Sequence, residues 1–438
     1  MQFKIHRGTQ EIGGSCVEVW TESTRLVLDF GMPLVNPDHS KFDSRSLQDQ
    51  SVDALRKAGI LPDIESLYAP GGRTSLIISH AHQDHYGFIN YLHDDCSVYM
   101  GEATHRLIEI TNLILNKGWN VQNPQHFQSG KSFNIGDIEI TPYLMDHSAF
   151  DAYAFHIEAD GKTVFYSGDF RTHGRKAGAF EWFSHQIESP IDYLLLEGTT
   201  IGRSDRQLQT ETDIENEFIR TFIESSGINL IYTSGQNIDR IVSIYRACKQ
   251  SNKTLVVDFY IANILKELAK YAKLPHPSKD FPDVSVFFPY RLSRMVVNQG
   301  NEKLLYRFKA YKITREQIDT NYENIVMLVR PSMQGDLELL NCLDQGMFTY
   351  SLWDGYKKEK STRGFVEFLE AKGVRQQDLH TSGHADREAL KRMVDILKPK
   401  HIVPMHTFEG DEYDSVFENS NILRALDGEI VDCSVGMQ

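Results

Sequence analysis

Through the first 170 residues, short apolar runs alternate with turns marked by glycine, proline and aspartate. Strand-like runs lie at 2–6, 15–20, 25–30, 75–79, 97–100, 138–143, 153–158 and 163–167. Between them, 102–117 (EATHRLIEITNLILNK) places apolar residues at helical spacing, and 191–197 (IDYLLLE) reads as a buried strand ending on Glu197. From about residue 200 the texture changes to alternating helix and strand. Helices are expected at 211–225 and 261–272, and strands at 228–233, 255–259, 284–288 and 325–329. PHPSKDFPD at 275–283 is the clearest loop of this stretch. Past residue 380 come a helix at 386–397 and strands at 401–405 and 429–433. The pattern predicts a layered α/β fold with a second α/β domain inserted into it.

Composition narrows the class. With 438 residues, 41% of them hydrophobic and 24% charged, the chain has the balance of an ordinary globular protein with ample core. The length corresponds to about three domains, or two large ones. No run of about 18 apolar residues occurs, so no membrane-spanning helix and no membrane partner are expected. The opening MQFKIHRGTQ lacks the apolar centre of a signal peptide. Five scattered cysteines, at 16, 96, 248, 342 and 433, form no CxxC pair. That fits a reducing cytoplasm and argues against thiolate metal sites. A formal charge of −14 disfavours loose adhesion to nucleic acid. It leaves room for chemistry on phosphates through bound cations.

The densest chemistry is SLIISHAHQDHYG at 75–87. An apolar β-branched run stops at Ser79, and His80, His82, Asp84 and His85 follow at once. Imidazole and carboxylate are ligands for zinc and similar ions. Alternation would point 80, 82 and 84 one way and leave His85 for a neighbouring ion. One zinc needs about four ligands, so residues elsewhere must contribute. Asp146-His147-Ser148 and Gly168-Asp169 each close a strand-like run, although either also reads as a plain strand-end turn. Combined with the first cluster, His80, His82 and His147 would hold one ion. Asp84 and His85 would begin a second, and Asp169 would bridge the two.

HAHQDH, DHS and SGDF, in this order after strands, resemble the metallo-β-lactamase fold, as does the opening EIGGSCVEV…RLVLDFGM. Downstream, LLLEGTTIG (194–202), HTSGHADREAL (380–390) and KPKHIVPMHTFEG (398–410) are similar to motifs A, B and C of the β-CASP branch. Within it, the resemblance is to J-type ribonucleases and RNA 3′-end cleavage endonucleases. It implies an αββα sandwich formed by 1–199 and closed by 379–438, with 200–378 as the inserted β-CASP domain. It makes Glu197 motif A, His384 motif B and His406 motif C, with His406 a ligand of the second ion. Without it, Glu197 reads as a surface or capping acid and His384 as a turn residue. TSGQNIDRI (233–241) is similar to a phosphate-contacting loop, but equally reads as a plain helix N-cap. Two departures stand out. HTFEG replaces the usual HGE after motif C, and the chain ends soon after the last strand, so no C-terminal appendage is expected.

The implied function is hydrolysis of RNA to 5′-phosphate and 3′-OH products by a centre of two divalent ions. Zinc is favoured by the histidine-rich ligation, with manganese the alternative. Asp84, Glu197 and His384 carry the catalytic roles in this reading. Expected partners are single-stranded RNA and no membrane; a homodimer is admitted but not specified. Arg171, Arg175, Lys176, Lys391, Arg392, Lys398 and Lys400 could line a substrate groove or form a solvated face. The competing readings are a hydrolase of small esters, thioesters, lactams or DNA on the same fold, and a non-catalytic RNA-processing scaffold.

Overall fold

A computed structural model describes all residues except 37–39, 48–49, 120, 122, 204–207 and 435–438. The first sheet is built from β1 (Gln2–Arg7), β2 (Cys16–Trp20), β3 (Arg25–Leu28), β4 (Thr74–Ile78), β5 (Ser97–Met100) and β6 (Gln125–His126). The second takes β7 (Phe133–Ile135), β8 (Ile138–Met145), β9 (Ala152–Ala159), β10 (Lys162–Tyr166) and β11 (Tyr193–Glu197). A third sheet uses β12 (Asn229–Tyr232), β13 (Thr254–Asp258), β14 (Val284–Phe287), β15 (Ile325–Leu328), β16 (Met347–Tyr350) and β17 (Arg375–Asp378). The chain then returns. β18 (His401–Met405) pairs with β11, and β19 (Ile430–Asp432) pairs with β1.

The two-residue period of a strand explains the layers. Leu26, Leu28 and Ile77 point inward and meet Ile138, Phe155, Ile157 and Val403 of the second sheet. Their neighbours Val27, Leu76 and Ile78 point outward, under the helix Glu102–Leu115. On the far side, Phe180 and Phe183 of Ala177–Gln186 join Leu390, Met393 and Leu397 of Arg387–Leu397 over the second sheet. The result is helix, sheet, sheet, helix, the expected αββα sandwich. The third sheet, in order β14-β13-β15-β12-β16-β17, is parallel throughout. Its helices Ile238–Gln250 and Phe259–Leu268 share one continuous apolar cluster with Leu107, Ile108 and Trp119 of the sandwich. The added layer is therefore packed onto the sandwich through a common core.

An ion-pair web reinforces that seam. Arg171 is fully buried and donates to Asp239 at 2.7 Å and to the Ser382 carbonyl at 3.0 Å, with Asp146 at 3.4 Å. Arg240, also buried, donates to Glu211 at 3.0 Å. This corrects the groove expectation for several cations. Arg175 is tied to Glu215, Lys176 lies 3.5 Å from Asp239, Arg392 pairs with Glu181 at 2.8 Å and Lys400 with Asp192 at 2.7 Å. Burial of a guanidinium requires such partners, and partnered charges have little left for a ligand.

Candidate metal centre

β4 ends at Ile78, and the chain does not continue extended. Gln83–Tyr86 is one helical turn with His82 at its N-cap. Alternation therefore fails past the strand. The turn swings Asp84 beside His85, away from His80 and His82. Room for this turn depends on Gly31, where a Cβ would meet the Asp84 carbonyl oxygen at 1.8 Å.

Two donor sets result. His80, His82 and His147 form the first, and Asp84, His85, Asp169 and His406 the second, with ligand atoms of each set within 4.8 Å of one another. His147 Nε2 lies 3.2 Å from His82 Nδ1, and His406 Nε2 lies 3.4 Å from Asp84 Oδ2. Asp169 reaches both sets: its Oδ2 is 3.1 Å from His85 Nε2 and 3.8 Å from His80 Nε2. His384 Nδ1 stands 3.1 Å from Glu197 Oε2 at the same edge, and these two with Asp169 and His406 make a third, overlapping set. Each strand end delivers its residue to the same rim: β8 leads to His147, β10 to Asp169, β11 to Glu197 and β18 to His406.

The outer nitrogens of the histidines are already held. His80 Nδ1 faces the Ser79 hydroxyl at 3.0 Å, and His85 Nδ1 faces Asp29 at 2.7 Å. His147 Nδ1 faces the Gly383 carbonyl at 2.6 Å, and His406 Nδ1 the Thr199 hydroxyl at 2.8 Å. Such contacts fix ring orientation and leave Nε2 free to ligate. Asp29, Ser79 and Thr199 were not singled out from sequence. Asp29 ends β3 at a positive φ of 60°, inside RLVLDFGM, and a carboxylate there was the available signal.

The donor set fits a metal. His80 Nε2 is buried and has no hydrogen-bond partner, a costly state for a polar atom unless an ion takes it. Burial, assisted by neighbouring imidazoles, drives His80 and His147 well below the usual imidazole range and lowers His82 to about 4. Neutral imidazole is the ligating form. Burial alone would raise Asp84, but the His406 hydrogen bond and the charge of His85 outweigh it and bring it to about 2. His384 is held above its ordinary value: burial pushes it down, and the carboxylates of Glu197 and then Asp169 more than reverse this.

The helix Ile238–Gln250, which follows TSGQN, is capped by its own Asn237, whose side chain accepts from the Arg240 N–H. The plain N-cap reading accounts for that loop.

The fold and this rim of ligands define a metallo-β-lactamase-fold protein with a β-CASP layer. Residues 63–218 match the beta-lactamase superfamily domain, and residues 374–411 match the Zn-dependent metallo-hydrolase RNA specificity domain. Along most of its length the chain is similar to ribonuclease J. The ribonuclease J of Helicobacter pylori strain B128 is 24% identical over 427 residues, 91% of this chain and 55% of that protein. An RNase J-like protein of Methanocaldococcus jannaschii is 26% identical over 459 residues, covering 97% of this chain and 96% of that one. The chain thus spans about half the length of the Helicobacter relative. A crystal structure of a protein of unknown function from Enterococcus faecalis V583 superposes with a TM-score of 0.80 at 20% identity, covering 98% of this chain and 99% of that chain. That likeness concerns the fold.

Proposed function

We propose that this chain is a metal-dependent phosphodiesterase that hydrolyses single-stranded RNA. The observation that carries the reading is the pair of donor sets joined by Asp169, with the Glu197–His384 pair on the same rim. In this reading His80, His82 and His147 would hold one divalent ion and Asp84, His85 and His406 a second, with the Asp169 carboxylate available to both sets. Residues 1–199 and 379–438 form the catalytic domain and 200–378 the insert. The histidine-rich first set favours zinc. When bound, the ions supply positive charge toward phosphoryl oxygens and acidify water near neutral pH.

The chain's own groups do the rest. Addition of a water oxygen to phosphorus breaks the bond to the 3′ oxygen and leaves a 5′-phosphate and a 3′-OH. Glu197 turns Nδ1 of His384 toward itself and favours the protonated imidazole, whose Nε2 would give its proton to the departing 3′ oxygen. Thr199 and Asp29 hold the rings of His406 and His85 in register. No ribose 2′-OH takes part.

Incubating the protein with labelled RNA, single-stranded DNA and a chromogenic ester tests the substrate class. RNA is expected to be cleaved fastest, with Asp84→Ala inactive. Turnover of the ester alone would favour a small-molecule hydrolase.

A further inference from the structure

Near the candidate centre, the ring of Trp353 lies against the guanidinium of Arg203, on the loop that follows β11. Past β16 the chain runs through Trp353 into a short helical turn at Asp354–Lys358. Trp353 is 51% exposed, an uncommon state for the largest apolar side chain, and its ring folds back against its own chain. A Cβ on Gly355 would meet ring atom Cζ3 at 2.0 Å, so glycine alone lets the backbone lie against it. Tyr356 meets the same ring edge-on, with centroids 5.5 Å apart at 89°. The Arg203 guanidinium stands 6.0 Å from the Trp353 centroid. Among the described residues Arg203 has no ion-pair partner, in contrast to the tied cations of the seam.

Both sides belong to the candidate centre. Arg203 closes the loop that leaves Glu197, and that loop is pinned to the motif B segment where the Thr200 hydroxyl donates to the Ala385 carbonyl at 2.5 Å. Burial first and the Asp84 carboxylate second raise the Tyr356 phenol above its ordinary value. A half-open indole beside a guanidinium with no ion-pair partner among the described residues is how single strands are gripped. A base stacks on the ring, and the guanidinium is free for the adjoining phosphate.

We propose that Trp353 and Arg203 form a subsite that holds one nucleotide of a single-stranded polynucleotide beside the bond to be cleaved. The inference rests on the RNA-cleaving reading of the centre and adds where the strand is held. A small ester or lactam would have no base to stack.

The test measures RNA cleavage and binding of a non-cleavable phosphorothioate oligoribonucleotide by tryptophan fluorescence, using metal-loaded protein. Variants are Trp353→Ala, Trp353→Phe and Arg203→Ala. Loss of one stacked base corresponds to roughly 5- to 100-fold in affinity. The expected result is a rise of that order in KM for Trp353→Ala with a smaller change in kcat, and substantial rescue by Trp353→Phe. Oligonucleotide binding should quench wild-type fluorescence, and Trp353→Phe should bind without that quench. Wild-type KM and affinity in Trp353→Ala, with RNA still cleaved, would overturn the subsite alone. Wild-type protein that neither binds nor cleaves RNA would overturn the underlying reading as well.

Discussion

Nδ1 of His384 lies 3.1 Å from Oε2 of Glu197, although 187 residues separate the two in the chain. Glu197 ends β11, and it also accepts from the Phe170 N–H at 3.0 Å, beside Asp169. One carboxylate thus couples His384 to the loop that carries Asp169, the residue shared by the donor sets. Glu197→Gln keeps the shape and removes the charge. We expect kcat on RNA to fall by about 10- to 100-fold, with metal content unchanged. The alkaline limb of the pH profile should move to lower pH, because the charge that holds His384 above its ordinary value is gone. Steady-state kinetics between pH 5 and 9 check both. An unshifted alkaline limb would remove Glu197 from this role.

Metal removal has a structural consequence as well as a catalytic one. Without an ion, the buried Nε2 of His80 lacks a partner, a defect of roughly 1–3 kcal/mol. A chelator should therefore abolish hydrolysis and lower Tm, and added zinc should restore both. His80→Ala should bind less metal, and its Tm should respond less to the chelator. Calorimetry with metal analysis measures this.

Arg171 faces Asp146, Glu211 and Asp239 with no exposure to solvent. Arg171→Met removes the buried cation these carboxylates share, leaving Arg240 and Lys176 as their remaining partners, at a cost of up to about 3–5 kcal/mol. Adding Asp239→Asn should recover part of that loss, because the two groups are in direct contact. Urea unfolding of the single and double variants reads the coupling; strictly additive effects would contradict it.

Acid should weaken the fold through His380. Its Nδ1 is buried without a hydrogen-bond partner, and desolvation, with Arg240 adding, lowers its pKa from 6.5 to about 3. Between those values the unfolded chain binds a proton that the folded chain does not. Stability is therefore full above pH 6.5 and declines as pH falls toward 3. His380→Asn should flatten the acid side of a plot of urea midpoint against pH. An unchanged slope would place the acid sensitivity elsewhere.

Much of this was legible in the chain because apolar runs bounded by turns report strands directly. β1, β5, β11 and β18 fall within a residue or two of the expected runs. The membrane expectation agrees with the structure to the extent that, among the described residues, no helix is long and apolar enough to cross a bilayer. β17 escaped notice since RQQD has no apolar residue; it is an edge strand that pairs only with β16. The helix Ala177–Gln186 was hidden by its histidine, glycine and serine. Within the centre, the ligand types and their grouping into two donor sets were readable, but the backbone that achieves the grouping was not. Strand alternation misassigned the direction of Asp84 because a helical turn begins at Gln83. For the cations near the motifs, the sequence left a groove and a solvated face both open. Sequence records charge, whereas only packing shows that Arg171 is spent on three buried carboxylates.

The end groups of the RNA products test the central claim most directly. Wild-type protein loaded with zinc should convert an internally labelled RNA to fragments with 5′-phosphate and 3′-OH ends, and Asp84→Ala should yield none. Recovery of 2′,3′-cyclic phosphate ends, or equal cleavage by Asp84→Ala, would contradict the account.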